Sequence, residues 1–111
     1  MKNSEIKFHV TLDEEKIPQS IIWEATDSGI AGAKPCKATM ITVWDATENT
    51  TLRIDVWTKD MLIDDMKRFF YESLMTMADT YQRATQDATL AGDMKKFADE
   101  FGRKSELFKT Q

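Results

Sequence analysis

The chain has 111 residues, of which 31% are charged and 41% apolar, the composition of an ordinary globular protein of one domain. The formal net charge is -4, and this acidic balance argues against nucleic acid as a partner, because nucleic-acid binding usually needs a basic face. We therefore expect a single domain over residues 1–111 that binds no nucleic acid.

The N-terminal half shows the patterns of four β-strands. Their predicted bounds are about 4–12, 20–26, 36–46 and 51–58. Residues 5–12 alternate strictly between apolar and polar side chains, which is typical of a strand with one dry face. The segment DSGIAGAKP, residues 27–35, contains two glycines and a proline and is predicted to be a loop.

The C-terminal half changes to a helical period, with helices predicted over about 62–85 and 88–109. Apolar side chains recur there every three or four residues, which indicates one apolar stripe on each helix. Asp64 and Asp65 lie in the first turn of the first helix, where negative charge suits the helix dipole. Asp87 is the candidate N-cap of the second helix. Because the break between the helices is short, we expect an antiparallel hairpin.

This order of elements predicts the α+β fold class. We expect a four-stranded antiparallel sheet followed by a two-helix C-terminal hairpin packed on one sheet face. The apolar stripes of the helices must be buried, and the dry face of the sheet is the available surface for them.

The segment VWDATENTTLRIDVW, residues 43–57, contains two of the three tryptophans and reads as a β-hairpin. If Glu48 and Asn49 form its loop, Val43 lies opposite Ile54 and Trp44 lies across from Arg53. One face is then dry and is predicted to be core; it holds Ile41, Val43, Leu52, Ile54 and Val56. The other face holds Met40, Thr42, Trp44, Arg53, Asp55 and Trp57. A slip by one residue would bury charges among the aliphatic side chains, which disfavours it.

Two interpretations of the face that carries the tryptophans stay open. A loop such as DSGIAGAKP could cover it, because monomers seldom leave a large apolar patch bare. Alternatively, it is a contact surface for a protein partner, most simply a second copy of the chain in a homo-oligomer, because tryptophan and arginine are enriched at interface centres. Trp44 and Arg53 would also be placed for a cation–π contact. The methionine-rich first helix offers a second candidate contact at Tyr71 and Met75.

The sequence predicts no catalytic, cofactor-binding or metal site. The only histidine, His9, falls on the polar face of the first strand with no nucleophile arrangement beside it. One histidine and one distant cysteine match no zinc spacing. The carboxylate clusters at 13–15 and 64–65 fit a turn and a helix start, and neither has the ligand pattern of a calcium loop. The candidate site is therefore an interaction surface: Met40, Trp44, Arg53, Trp57, Tyr71 and Met75.

Cysteine content and the first residues indicate the compartment. Cys36 is the only cysteine, so no internal disulfide can form, and a lone thiol suits a reducing compartment. Residues 1–10 contain no apolar signal segment, and no window approaches the ~20 apolar residues of a membrane span. We expect a cytoplasmic protein with no membrane span.

The distinctive stretches together resemble the GldC family, small proteins associated with gliding motility in Bacteroidota. The stretches that carry the resemblance are SEIKFHVTLDEEKIP, WEATDSGI, ITVWD, TLRIDVWTKDM, DDMKRFF and MADTYQRAT, in order from about Ser4 to Phe101. WTKDM after TLRID, followed by MADT, is the most specific part. One departure is Leu62, where we expect a proline early in the first helix, and it blurs the predicted helix start.

The resemblance implies an accessory protein of gliding with no enzyme activity, no cofactor and no catalytic residues to carry over. It implies protein partners, gliding-machinery components among them, and gives no biochemical role. An alternative is a chaperone-like or ligand-binding module, because four antiparallel strands followed by two helices also occur in SecB-type export chaperones, an analogy at the level of fold alone.

Overall fold

A computed structural model describes residues 2–107 of the protein. The described elements are β1 (Ile6–Leu12), β2 (Pro18–Ala25), β3 (Lys34–Cys36), β4 (Ala38–Asp45), β5 (Thr50–Trp57), α1 (Ile63–Thr85) and α2 (Ala88–Lys104). The chain forms two compact units, one with the strands and one with the helices. The α+β class is confirmed, whereas the single domain with its helices packed on a sheet face stays a prediction.

The prediction of one four-stranded sheet is wrong, because the strands form two antiparallel sheets. β1, β2 and β3 make one sheet in that order, and β4 pairs with β5 in the other. The three-residue strand β3 lies mostly within the segment predicted to be a loop. The predicted strand 36–46 is broken at Lys37, whose carbonyl oxygen accepts a hydrogen bond from the Thr58 amide at 2.8 Å. The chain therefore leaves one sheet after Cys36 and enters the other at Ala38.

The three-stranded sheet is centred on Ile21, which is 1% exposed. Ile21 lies between Val10 on β1 and Cys36 on β3. Its neighbour Ile22, which points to the other face of the same strand, is 41% exposed, so one face of the central strand is the buried one. The turn from β1 to β2 is organised by Asp13, whose carboxylate accepts backbone hydrogen bonds from Glu15 at 2.8 Å and from Ile17 at 3.0 Å. Such a side-chain-to-backbone pattern is why aspartate favours turns.

The β4–β5 hairpin has a different register from the predicted one. Asp45 pairs with Thr50, which leaves a four-residue loop instead of two residues. The Asp45 carboxylate accepts a hydrogen bond from the Glu48 amide at 2.6 Å, and Asn49 adopts a left-handed conformation with φ of 52°. The shift from the predicted register is two residues, so every side chain keeps its predicted face while its partner changes.

The helical unit is the predicted two-helix hairpin. Asp87 is confirmed as the N-cap of α2, because its carboxylate accepts a hydrogen bond from the Leu90 amide at 3.0 Å. α1 begins at Ile63 with Leu62 in the N-cap position and no side-chain cap. The helices pack against each other, and the residues buried in this unit are Ala78, Ala91, Ala98 and Gly102. Residues 108 and 109, the end of the predicted second helix, lie outside the described residues.

Candidate interaction surface

The tryptophan face is the side of the β4–β5 hairpin that carries Trp44 and Trp57. Cross-strand pairing along it runs Ala38 to Trp57, Met40 to Asp55, Thr42 to Arg53 and Trp44 to Thr51. Trp57 therefore lies at the base of the hairpin and Trp44 near its loop. Their positions differ by six residues along the strands, or ~20 Å at the usual rise of a strand. The two tryptophans flank the face instead of stacking on each other.

Both tryptophans are open to solvent within the described chain. Trp44 is 66% exposed and Trp57 is 54% exposed. No loop among residues 2–107 covers them to any large extent, which goes against the interpretation of a covering loop. The face therefore offers two large aromatic side chains, with Met40 half-buried between them.

Arg53 occupies the centre of the tryptophan face. Its guanidinium Nη2 donates to the Asp55 carboxylate at 3.2 Å and lies 3.8 Å from the Met40 sulfur. The predicted pairing of Trp44 across from Arg53 is wrong, because Trp44 lies across from Thr51. Arg53 is instead a diagonal neighbour of Trp44 and is held by Asp55, so the centre of the face is polar and its two ends are aromatic.

The opposite side of the same hairpin is the aliphatic face. Its members are Ile41, Val43, Leu52, Ile54 and Val56, as predicted from the alternation. The prediction that they form a core is wrong for three of them in the described chain, since Val43, Leu52 and Ile54 are more than half exposed. A two-stranded ribbon has no second layer of its own, and this explains why an alternating pattern alone did not secure burial.

A group of polar residues anchors the base of the hairpin, next to Trp57. Thr58 is 2% exposed, and its hydroxyl lies within hydrogen-bonding distance of the Lys37 carbonyl oxygen, at 3.3 Å, and of the Asp60 carboxylate. The hydrogen bond with Thr58, and then the charge of the Lys37 ammonium, lower the pKa of the Asp60 carboxyl below its ordinary value. This anchor fixes the end of β5 and with it the position of Trp57.

Tyr71 and Met75 lie on α1 and are each half-buried. They precede the buried Ala78 by seven and three residues, which places them on the side of α1 that faces α2. Their predicted role as a second contact stays a prediction. The helices do carry exposed apolar side chains elsewhere, at Phe70, Met77, Leu90 and Phe97. From the sequence, these residues are assigned to apolar stripes that are expected to be buried. The helical period shows that such a stripe exists but does not show what covers it.

The residues considered for chemistry are dispersed. His9 is exposed and pairs with Ile22 in the β1–β2 ladder. Cys36 is half-buried, and burial raises the pKa of its thiol, which disfavours the reactive thiolate. Over residues 2–107, no three histidine, cysteine or carboxylate side chains come together as a metal-binding group. In the same part of the chain, neither helix is long and apolar enough to cross a bilayer.

Comparison with known proteins identifies the family. A family model described as gliding motility-associated protein GldC-like matches residues 18–107, most of the chain. No curated protein and no solved structure matches. The match covers the hairpin with both tryptophan positions and both helices, and its description names an association with gliding motility rather than a catalysed reaction. The chain therefore belongs to the GldC-like family, in agreement with the resemblance seen in its motifs.

Proposed function

We propose that this member of the GldC-like family acts in gliding motility as a non-enzymatic accessory protein in the cytoplasm, through contacts with other proteins. The tryptophan face is the contact surface, with Trp44 and Trp57 as anchors and with Met40 and Arg53 between them. The partner is a protein component of the gliding machinery.

The observation that carries this proposal is the exposure of both tryptophans on one face with an arginine at its centre. Tryptophan and arginine are the residues whose truncation most often costs binding energy at interfaces. An indole ring combines a large apolar area with one N–H donor, so it gains from burial against a partner. Arg53 is already oriented by Asp55, which reduces the side-chain entropy that it would lose on binding.

The test uses Trp44→Ala and Trp57→Ala, with Leu52→Ala as a matched control. Leu52 is on the same strand as Trp57, is exposed to a similar extent (52% against 54%), and lies on the opposite face of the hairpin. Each protein is immobilised and exposed to lysate of a gliding bacterium, and captured gliding components are identified by mass spectrometry. The same substitutions in the chromosomal gene are scored by the speed of gliding on a surface.

We expect both tryptophan variants to lose the captured component and to slow gliding, whereas Leu52→Ala keeps both. Circular dichroism checks that all three variants remain folded. Capture and gliding that are equal for the tryptophan variants and the control would contradict the proposal. Loss of capture for Leu52→Ala alone would move the contact surface to the aliphatic face.

A second candidate function is a chaperone-like module that holds unfolded polypeptide. The observation that favours it is that the hairpin exposes apolar side chains on both faces, Trp44 and Trp57 on one and Val43, Leu52 and Ile54 on the other. Suppression of the aggregation of a reduced, unfolded client protein is the measurement. A chaperone would suppress aggregation at stoichiometric concentration. If the suppression is lost only when both faces of the hairpin are altered, the activity is that of a chaperone and not of a specific partner contact on one face.

A further inference from the structure

The helical unit has a core of small residues. Its buried residues within the described chain are Ala78 on α1 and Ala91, Ala98 and Gly102 on α2. Small side chains at the contact allow the two helices to approach closely, and they bury little apolar area of their own. The fully buried residues of the unit are therefore small, and its larger apolar side chains are half-buried or exposed.

Nine of these larger side chains share one side of the helical hairpin. Four of them immediately precede a buried small residue: Met77 before Ala78, Leu90 before Ala91, Phe97 before Ala98, and Phe101 before Gly102. Because each large residue precedes a small one by one position, its side chain is rotated by ~100° about the helix axis from the side that faces the other helix. The rotation has the same sense on both helices. Because the helices run antiparallel, equal rotations bring the large side chains of both helices to the same side of the hairpin.

We call this side the helical face. Its members are Met66, Phe70, Leu74, Met77 and Tyr81 on α1 and Leu90, Met94, Phe97 and Phe101 on α2. An open groove of about 430 Å³ runs between the helices on this side, lined by five of these side chains and by Asp93. The groove confirms that α1 and α2 contribute to one continuous surface.

The helical face is apolar and almost uncharged. Asp93 is the charged residue that lines the groove. A neighbouring hollow along α2 contains Phe97 and Phe101, whose ring centroids lie 6.5 Å apart. Glu100 and Lys104 border that hollow and form an ion pair of 2.8 Å, so their charges offset each other at the rim. Phe97 is 58% exposed and Met77 is 55% exposed.

We propose that the helical face is a homodimer interface, at which two copies of the hairpin stack face to face as a four-helix bundle. Its occupant must be apolar and as long as the hairpin, since α2 with 17 residues spans ~26 Å. A second copy provides an identical face of the same length with the same unburied side chains. In a two-fold dimer the same patch of each subunit contacts the other, so an apolar face is matched by an apolar face. Large residues pointing inward from four helices form the usual core of a bundle.

The size of the face agrees with this occupant. Two helices ~9 Å apart and ~26 Å long present a flat area on the order of 500 Å², and the accessible area of protruding side chains exceeds the flat area. Two such faces together approach the ~1,200–2,000 Å² that stable interfaces bury. A small ligand in the groove would cover one part of the face and leave Phe70 exposed.

This inference names a self-contact on a surface other than the tryptophan face, so it fails or succeeds independently of the proposed function. The first test is the mass of the unaltered protein by sedimentation and light scattering over a range of concentrations. We expect twice the 12.8 kDa of one chain. We also expect the unfolding temperature to rise with protein concentration, as it does for any dimer that dissociates on unfolding.

The second test compares Met77→Glu with Thr76→Glu. The two positions are adjacent and both exposed, and the two substitutions add the same charge, but Thr76 is not on the helical face. We expect Met77→Glu to raise the dissociation constant of the dimer at least ~30-fold and Thr76→Glu to leave it within about threefold. Circular dichroism reports whether each variant keeps its helices.

Three outcomes would overturn the proposal. One is a monomer at every concentration, with an unfolding temperature independent of concentration, which would exclude a second copy as the occupant of the face. Another is a dimer that both variants retain, which would place the self-contact elsewhere. The third is a dimer that Trp44→Ala dissociates and Met77→Glu does not. If Met77→Glu proves unfolded, Phe97→Ala replaces it, and the concentration dependence of the unaltered protein still decides between monomer and dimer.

Discussion

The ammonium of Lys59 lies 3.1 Å from the carboxylate of Asp13, 46 residues earlier in the chain. Asp13 organises the turn between β1 and β2, and Lys59 follows β5. The Lys59 amide also donates to the Pro18 carbonyl oxygen at 3.3 Å. Two contacts therefore join the β1–β2 turn and the first residue of β2 to the segment that follows β5.

Asp13 should make the stability of the protein sensitive to acid. Hydrogen bonds from the Ile17 amide and from Lys59 lower the pKa of its carboxyl in the folded state. Because the pKa is lower in the folded state, the stabilisation that the Asp13 carboxylate provides is fully present above its unfolded-state pKa of ~3.9. This stabilisation is lost as the pH falls through the folded-state pKa. We expect Asp13→Asn to lower the unfolding temperature at pH 7, and the difference from the unaltered protein to shrink below pH ~3.9.

The control for this prediction is Glu14→Gln, the same carboxylate-to-amide change at an exposed neighbour in the same turn. Thermal unfolding at pH 7 and in steps down to pH 2.5 is the measurement. A difference for Asp13→Asn that stays constant over this range, or an equal effect of Glu14→Gln, would show that Asp13 does not stabilise the turn as a carboxylate.

Asn49 should tolerate glycine and reject a β-branched side chain. Its φ of 52° lies in the left-handed region, which suits glycine and asparagine and is costly for valine. We expect Asn49→Val to lower the free energy of unfolding by ~1–2 kcal/mol, and Asn49→Gly to change it by less than ~0.5 kcal/mol. Urea unfolding followed by tryptophan fluorescence measures both. Equal stability of the two variants would contradict the loop conformation.

The hairpin shows what the sequence of this protein could and could not predict. Alternation with a period of two assigned each side chain to a face. That assignment is correct although the predicted register is wrong, because the register is shifted by two residues and a shift by an even number keeps every side chain on its face. The loop length was not predictable from the residue types alone. It depends on the Asp45 carboxylate bonding the Glu48 amide, which favours a four-residue loop over the two-residue turn built on Glu48 and Asn49.

The number of sheets was missed for a different reason. Residues 36–46 are rich in threonine, isoleucine, valine and tryptophan, and one lysine followed by one alanine is too weak a signal to mark Lys37 as the point where the chain changes sheets. At the break, the Lys37 carbonyl oxygen accepts a hydrogen bond from the Thr58 amide, a partner 21 residues later in the chain. By contrast, the local signal at Asp87 predicted the N-cap of α2 correctly, because a cap is made by residues three positions apart.

Two isoleucines on strands differ strongly in burial. Ile21 is 1% exposed at the centre of its sheet, whereas Ile54 is 62% exposed on the aliphatic face. We expect Ile21→Ala to cost ~2–5 kcal/mol of stability and Ile54→Ala less than ~1 kcal/mol. Urea unfolding of both variants at low protein concentration is the measurement. A cost for Ile54→Ala equal to that of Ile21→Ala would show that the aliphatic face is buried in solution.

The contact between α1 and α2 should reject a larger side chain at Ala98. Ala98 is fully buried against the neighbouring helix, and added methyl groups there must force the helices apart or the side chain off its rotamer. We expect Ala98→Leu to lower the free energy of unfolding by ~1–3 kcal/mol. Ala88→Leu is the matched control, since Ala88 is on the same helix and exposed, and it should change stability by less than ~0.5 kcal/mol. The stability of both variants is measured by unfolding followed by circular dichroism at 222 nm, a wavelength that reports helix content. An Ala98→Leu variant as stable as the control would mean that the helices do not meet at this residue.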